Sequence, residues 1–283
     1  MSRARFRTVF SQDKVVLGMV HLHPLPGAPR YGGRLVPVVD AALADAEAIR
    51  RGGAGGMIVE NFNDNPFYPD HVEAETVAAM SVIAKEVVRV AGDLPVGINV
   101  LRNDWKAALA VALAVGGRFI RLNVLTDALV TDQGIIEAPA HLALRYRRAL
   151  GADHLLILAD VYCKHGAPLA RRPLGIVARD TAERGLADAL IVSGEESGDP
   201  PRREDILEVR AAVPDVPVLL GSGMRETTAE TVALVDGSIF GYHAKVDDII
   251  TNPVDPERVR RFVAAVAGAR VASSGIRGSG AAV

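Results

Sequence analysis

The chain has 283 residues, 49% of them apolar and 23% charged, enough for one large domain or two small ones and too apolar for a disordered polymer. Its 32 Lys and Arg against 34 Asp and Glu leave a net charge of −2, so no basic excess exists to neutralise phosphates and nucleic acid is excluded as the main partner. A single cysteine, Cys163, forms neither an internal disulfide nor a Cys-rich zinc site and suits a reducing, cytoplasmic setting.

Taken in chain order, short β-branched runs alternate with longer amphipathic ones. The basic start (Arg3, Arg5, Arg7) leads into Ser11-Gln12-Asp13-Lys14 and not into an apolar core, which is not the pattern of a signal peptide. Strand-like 15–21 is followed by helical 36–51, then 56–60 by 73–91, and 95–100 by 105–115. The alternation continues with 119–124 and 139–150, 155–161 and 175–184, 189–192 and 203–212, 216–220 and 227–235, and 237–240 and 255–267. The strands read as continuous apolar runs, as expected when a parallel sheet is covered by helices. Eight strand–helix units predict an α/β fold, a single (β/α)8 barrel over 1–271. A doubly wound sheet would carry a Gly-rich fingerprint after its first strand, where this chain has His-Leu-His-Pro-Leu-Pro-Gly. The Gly, Ser and Ala of 272–283 predict a disordered tail. The longest strongly apolar helical run, 107–115, is far short of the roughly 20 residues that span a bilayer.

Such a barrel builds its site at the C-terminal ends of its strands, and the unusual polar residues fall there. His21 and His23 close the first strand; Glu60, Asn61 and Asp64 follow the second; Asn99, Arg102, Asn103 and Asp104 follow the third. Arg121 and Asn123 lie in the fourth, sharing a face with Phe119, and Asp160, Lys164 and His165 close the fifth. Ser193 to Gly198, Gly221-Ser222-Gly223 and Gly241 to Lys245 complete the rim. Only five basic residues are lysines, and Lys164 and Lys245 sit just past strands, where a compact, tunable ammonium is useful.

From these positions Glu60 or Asp160 is expected as general acid or base, with Lys164 stabilising an oxyanion or enolate or forming a Schiff base, and His21 alongside. Arg121 either clamps a substrate anion or makes a buried ion pair with Glu60 or Asp160. Gly221, Ser222 and Gly223, with Ser193 and its loop, suggest an anion cradle, to which Lys245 adds charge. Asn99, Asn103, Asn123 and His165 are expected to orient the ligand. His21-x-His23 invites a metal, but a barrel of that style also wants a His after the sixth strand and an Asp after the eighth, so no metal ligands are assigned. A divalent cation held by Glu60, Asp64 or Asp160 beside a substrate phosphate is the alternative to a cofactor-free site. Two long connections, 61–71 with Phe62, Phe67 and Tyr68 and 125–137, read as lids or binding loops, the aromatics covering either a ligand or a subunit interface.

At these residues the sequence resembles the BtpA family, including its SgcQ-type members, in GMVHLHPLPGAPRYGG (18–33), IVENFNDNPF (58–67), GINVLRND (97–104), FIRLNVLTDALVTDQGII (119–136), ADVYCKHGAPL (160–169), ALIVSGEESG (189–198), VLLGSG (218–223) and NPVDPERVRRF (252–262). The resemblance implies the barrel superfold. It also implies a role as a biogenesis or stability factor for photosystem I like that of the family's cyanobacterial namesake, whereas the rim residues point to an enzyme (isomerase, lyase or hydrolase) on a small phosphorylated or carboxylated metabolite, with a small-molecule sensor as a further alternative. A homo-oligomer is the default expectation for such a barrel.

Overall fold

Parity within each strand organises the molecule. The structure, a computed structural model, describes residues 2–196 and 198–277. Its elements are α1 (Ser2–Val9), β1 (Val15–His21), α2 (Val36–Arg51), β2 (Gly56–Glu60), α3 (Ala74–Ala91), β3 (Val96–Asn99), α4 (Trp105–Val115) and β4 (Phe119–Leu122), followed by a hairpin of β5 (Ala128–Thr131) and β6 (Gly134–Glu137). Then come α5 (Ala140–Ala149), β7 (Leu156–Asp160), β8 (Gly166–Pro168), α6 (Leu174–Arg179), β9 (Ala189–Val192), α7 (Arg203–Ala212), β10 (Val218–Leu220), α8 (Ala229–Val232), β11 (Gly237–Phe240) and α9 (Pro256–Arg277). Eight strands, β1, β2, β3, β4, β7, β9, β10 and β11, pair in that order, all parallel, and β11 returns to β1 to close the barrel.

Outward strand residues such as Val16, Val59, Ile98 and Ile157 join the helices in one large core. Inward residues form a second, separate cluster: Val15, Leu17 and Met19, Ile58, Phe119, Leu156 and Leu158, Ala189 and Ile191, Leu219, and Ile239. Gly97 belongs to this interior because the Phe119 ring occupies the place its Cβ would take. The floor is closed by α1. Phe6 and Phe10 pack as tilted rings at 4.6 Å, and Phe10 meets Phe119 edge-on at 5.3 Å between ring centroids. The basic N-terminus is thus a plug: Arg3 pairs with Asp236 at 2.6 Å and Arg5 with Asp188 at 2.8 Å, just before β11 and β9.

The connection 125–137, expected as a loop or lid, is instead the β5–β6 hairpin, which turns at Asp132-Gln133-Gly134 and pairs antiparallel with β8. Gly134 sits at φ 99°, a conformation that favours glycine, and supplies the turn. The segment expected to be helical over 227–235 is a turn of 3-10 helix (Glu226–Thr228) and the single-turn α8. The tail expected at 272–283 falls partly on the backbone of α9 and, from 278, outside the described residues. Among the described residues no helix is long and apolar enough to cross a membrane.

Candidate functional site

One step of two residues above the topmost apolar layer, each strand changes character. Met19 is followed by His21, Ile58 by Glu60, Gly97 by Asn99, Phe119 by Arg121, Leu158 by Asp160, Ile191 by Ser193, Leu219 by Gly221 and Ile239 by Gly241. Because side chains alternate with period two, this tier faces the barrel axis at its C-terminal mouth. The register fixes part of it directly: His21 pairs with Glu60, and Glu60 with Asn99.

The charges in this tier compensate one another. Arg121, 4% exposed, donates from Nε to Asp160 Oδ2 at 3.2 Å and from Nη2 to Oδ1 at 3.1 Å, and its Nη1 lies 3.8 Å from Glu60 Oε2. Burial alone would lower the pKa of this guanidinium, but Asp160 and Glu60 outweigh it and hold the group charged. Asp160 also accepts from Asn123 Nδ2 at 2.8 Å and from Ser193 Oγ at 3.5 Å. Glu60 accepts from Asn99 Nδ2 at 2.5 Å, and its other oxygen is 3.7 Å from His21 Nε2. Of the two readings of Arg121, the ion pair is the contact present. Asp160 is surrounded by donors, whereas Glu60 borders open space.

That space is a cleft in two lobes sharing a wall of Glu60, Phe62, Arg121, Lys164 and Ile250. The first lobe, a narrow cavity of about 50 Å3, runs between His21 and the loops Gly221–Met224 and Gly241–His243; the second, about 320 Å3, runs past Arg102, Asn123, His165 and Arg30. The second volume suits a small metabolite, and the first has room only for a small group. The Lys164 ammonium has no hydrogen bond or ion pair among the described residues. Burial lowers its pKa and the neighbouring Arg121 adds to the effect, partly opposed by Glu60 and Asp160. His21 is held well below the usual imidazole range by burial and then by the charges of Lys245, Lys164 and Arg121, so it stands neutral, packed 4.7 Å from the Phe62 ring.

Other sequence candidates are placed differently. Lys245 does not line the cleft. At 2% exposure its Nζ reaches Asp45 Oδ2 of α2 at 2.5 Å, and Asp45 also accepts from Val254 N, so this lysine ties the segment after β11 to α2. Asn103 is a latch, exchanging hydrogen bonds of 2.8 and 2.9 Å with the backbone of Val124. Ser222 lines the first lobe, but its hydroxyl donates to Asp199 O and accepts from Gly194 N, bridging two rim loops. Gly221 and Gly223 are needed for close approach: a Cβ on either would strike Ser193 or Pro200. His23 is exposed where His21 is buried, because the strand ends between them, so the two imidazoles do not converge. Asp64 is turned to Leu25 N and Asn61. Among the described residues no group of three His, Cys, Asp or Glu could hold a metal ion. Cys163 is buried, which raises its thiol pKa against the pull of Arg102, as suits a packed thiol more than a nucleophile. Lys164 reaches the cleft by a turn and not by continued strand pleating: β7 ends at Asp160, and Tyr162 and His165 take positive φ. Arg30 and Arg102, absent from the sequence-based set of binding residues, enter the cleft wall; the signal for Arg102 was its place in the run following the third strand.

Known proteins share this architecture and sequence. A solved structure of N-(5'-phosphoribosyl)anthranilate isomerase from Pyrococcus furiosus superposes with a TM-score of 0.54 at 12% identity, over 90% of this chain and 99% of that one, a likeness of fold alone. The chain is 44% identical to the photosystem I biogenesis protein BtpA of Synechocystis over 91% of its own length and 90% of that protein's. It is 43% identical to an uncharacterized protein of Pyrococcus furiosus over 88% and 94%. With the family model matching residues 12–268, the chain belongs to the BtpA family.

Proposed function

We propose that the protein is a barrel enzyme for a small phosphorylated or carboxylated metabolite, using proton-transfer chemistry of the isomerase, lyase or hydrolase kind. The observation that carries this is the polar tier: five ionisable side chains, His21, Glu60, Arg121, Asp160 and Lys164, gathered at one barrel mouth around a cleft whose second lobe is of metabolite size. Burying charge is costly, and a scaffold gains nothing from concentrating it there. Asp160 and Arg121 form the fixed frame, and Asn99 and His21 hold Glu60 from the sides. Glu60 and Lys164 face the cleft together, so Glu60 takes a proton from the substrate and returns it, while the Lys164 ammonium stabilises the negative oxygen that develops.

The first lobe suits an anion. The backbone amides of Ser222, Gly223, Met224, Gly241, Tyr242 and His243 have no hydrogen-bond partner among the described residues, and they belong to the loops after the last two barrel strands, a frequent phosphate position in this fold. The photosystem role in one relative's name is the competing reading.

Thermal unfolding in inorganic phosphate and in dihydroxyacetone phosphate tests the proposal. A ligand at 100 times its dissociation constant stabilises by about 2.7 kcal/mol. Solvent deuterium should enter a bound ketose phosphate beside its carbonyl, and Glu60→Gln should stop that exchange while leaving binding intact. Absence of any stabilisation by small anions overturns the proposal in favour of a scaffold.

A further inference from the structure

We infer that the ligand of this cleft is a phosphomonoester whose far end is a hydroxy acid, a carboxylate with a hydroxyl on the adjacent carbon; this rests on the anion-binding reading of the first lobe. The two lobes meet at Glu60 and Lys164, so a molecule spanning both presents its middle to the reacting groups. The second lobe has its own chemistry. Arg102 is 7% exposed and anchored, Nη2 donating to the Lys164 carbonyl and to Cys163 Sγ at 3.4 Å, while its Nε has no partner among the described residues. Asn123 is 4% exposed. Its Nδ2 donates to the Asp160 carboxylate, which fixes the orientation of the amide and leaves Oδ1 a buried acceptor without a donor.

Buried polar atoms are rarely left unpaired, and this lobe holds an unpaired cationic donor together with an unpaired acceptor. A carboxylate answers the guanidinium, and Arg30, exposed at the rim and bonded to Asn65, adds a second cation. A carboxylate alone leaves Asn123 Oδ1 unsatisfied, since it offers only acceptors, and an ionised second phosphate answers Asn123 poorly for the same reason. A neighbouring hydroxyl supplies the missing donor.

Isothermal titration tests this with inorganic phosphate, sn-glycerol 3-phosphate, 3-phosphoglycerate and its deoxy analogue 3-(phosphonooxy)propionate. 3-Phosphoglycerate should bind about tenfold tighter than glycerol 3-phosphate and about fivefold tighter than the deoxy compound. Arg30→Ala, at an exposed position, should narrow the first ratio to about threefold or less with glycerol 3-phosphate unchanged. Arg102→Lys should do the same, and its unfolding transition checks that it is folded. Equal binding of the three organic phosphates, or equal weakening of all by Arg30→Ala, overturns the inference while the anion reading stands. Failure of every compound, inorganic phosphate included, overturns both.

Discussion

The floor and the rim of this barrel are built from the same strands, two residues apart, and follow opposite rules. At the floor, Phe6, Phe10 and Phe119 fill the interior, and every layer up to Met19, Ile58 and Leu158 is apolar. At the rim, the next inward position of each strand is polar or glycine, Arg121 is paired with Asp160 and Glu60 while Lys164 has no ion pair among the described residues, and His21 Nδ1, Asn123 Oδ1 and Arg102 Nε are buried without a partner. A folding core removes such loose ends, whereas a binding site keeps them for its ligand.

The comparison is broken most forcefully at Arg121. Replacing it by Leu leaves Asp160 and Glu60 buried without their cation, which should cost about 3–5 kcal/mol in urea unfolding. A loss under ~1 kcal/mol would mean that the rim is wetter and looser than the geometry implies. Phe10→Ala at the floor should cost nearly as much, about 3 kcal/mol, by opening a cavity among Phe6, Phe119 and the strand residues. It should leave the affinity for inorganic phosphate little changed, because the inward apolar layer of Phe119, Met19, Ile58 and Leu158 lies between Phe10 and the cleft. A matching fall in phosphate affinity would show that the two ends are coupled.

Much of this arrangement was legible in the sequence because it is local. Period-two parity put Phe119, Arg121 and Asn123 on one face, and the alternation of strand and helix gave the barrel. The floor was harder to read. A short Arg-rich segment looks like solvated surface, and only the i, i+4 spacing of Phe6 and Phe10 hints at a buried stripe. The hairpin signal was also present, in the Asp-Gln-Gly turn of 132–134, but weak beside a long polar connection. The two rim lysines mark where local reading ends. Lys164 and Lys245 both follow a strand, yet the partner of Lys245 is Asp45, 200 residues earlier, and no local pattern announces it.

Those lysines give the sharpest crossed test. Lys245→Met should cost about 3 kcal/mol by leaving Asp45 buried against Val254 N without its cation, and it should change phosphate affinity little. Lys164→Met should do the reverse. An ammonium with a pKa lowered by burial disfavours the folded state at neutral pH, so its removal should leave stability within about 1 kcal/mol or raise it, while phosphate binding falls about tenfold or more. Equal destabilisation by both substitutions would sink the distinction.

The smallest effect lies with His21, where the sign is fixed by its lowered pKa. Below the ordinary value of 6.5 the unfolded chain takes up a proton on this imidazole, and the folded chain, where burial and then the nearby cations resist it, does not. The unfolded state therefore binds more protons, and stability falls on acidification through that range, by about 1 kcal/mol between pH ~6.5 and ~5.5 for one such group. His21→Gln removes the group and keeps a polar side chain beside Glu60. Urea unfolding of the two proteins across that interval should give curves whose difference grows toward acid, with the variant losing less stability, since the remaining histidines contribute equally to both. Parallel curves would place the proton on His21 in the folded state as readily as in the unfolded one, and the neutral imidazole at the rim would have to be given up.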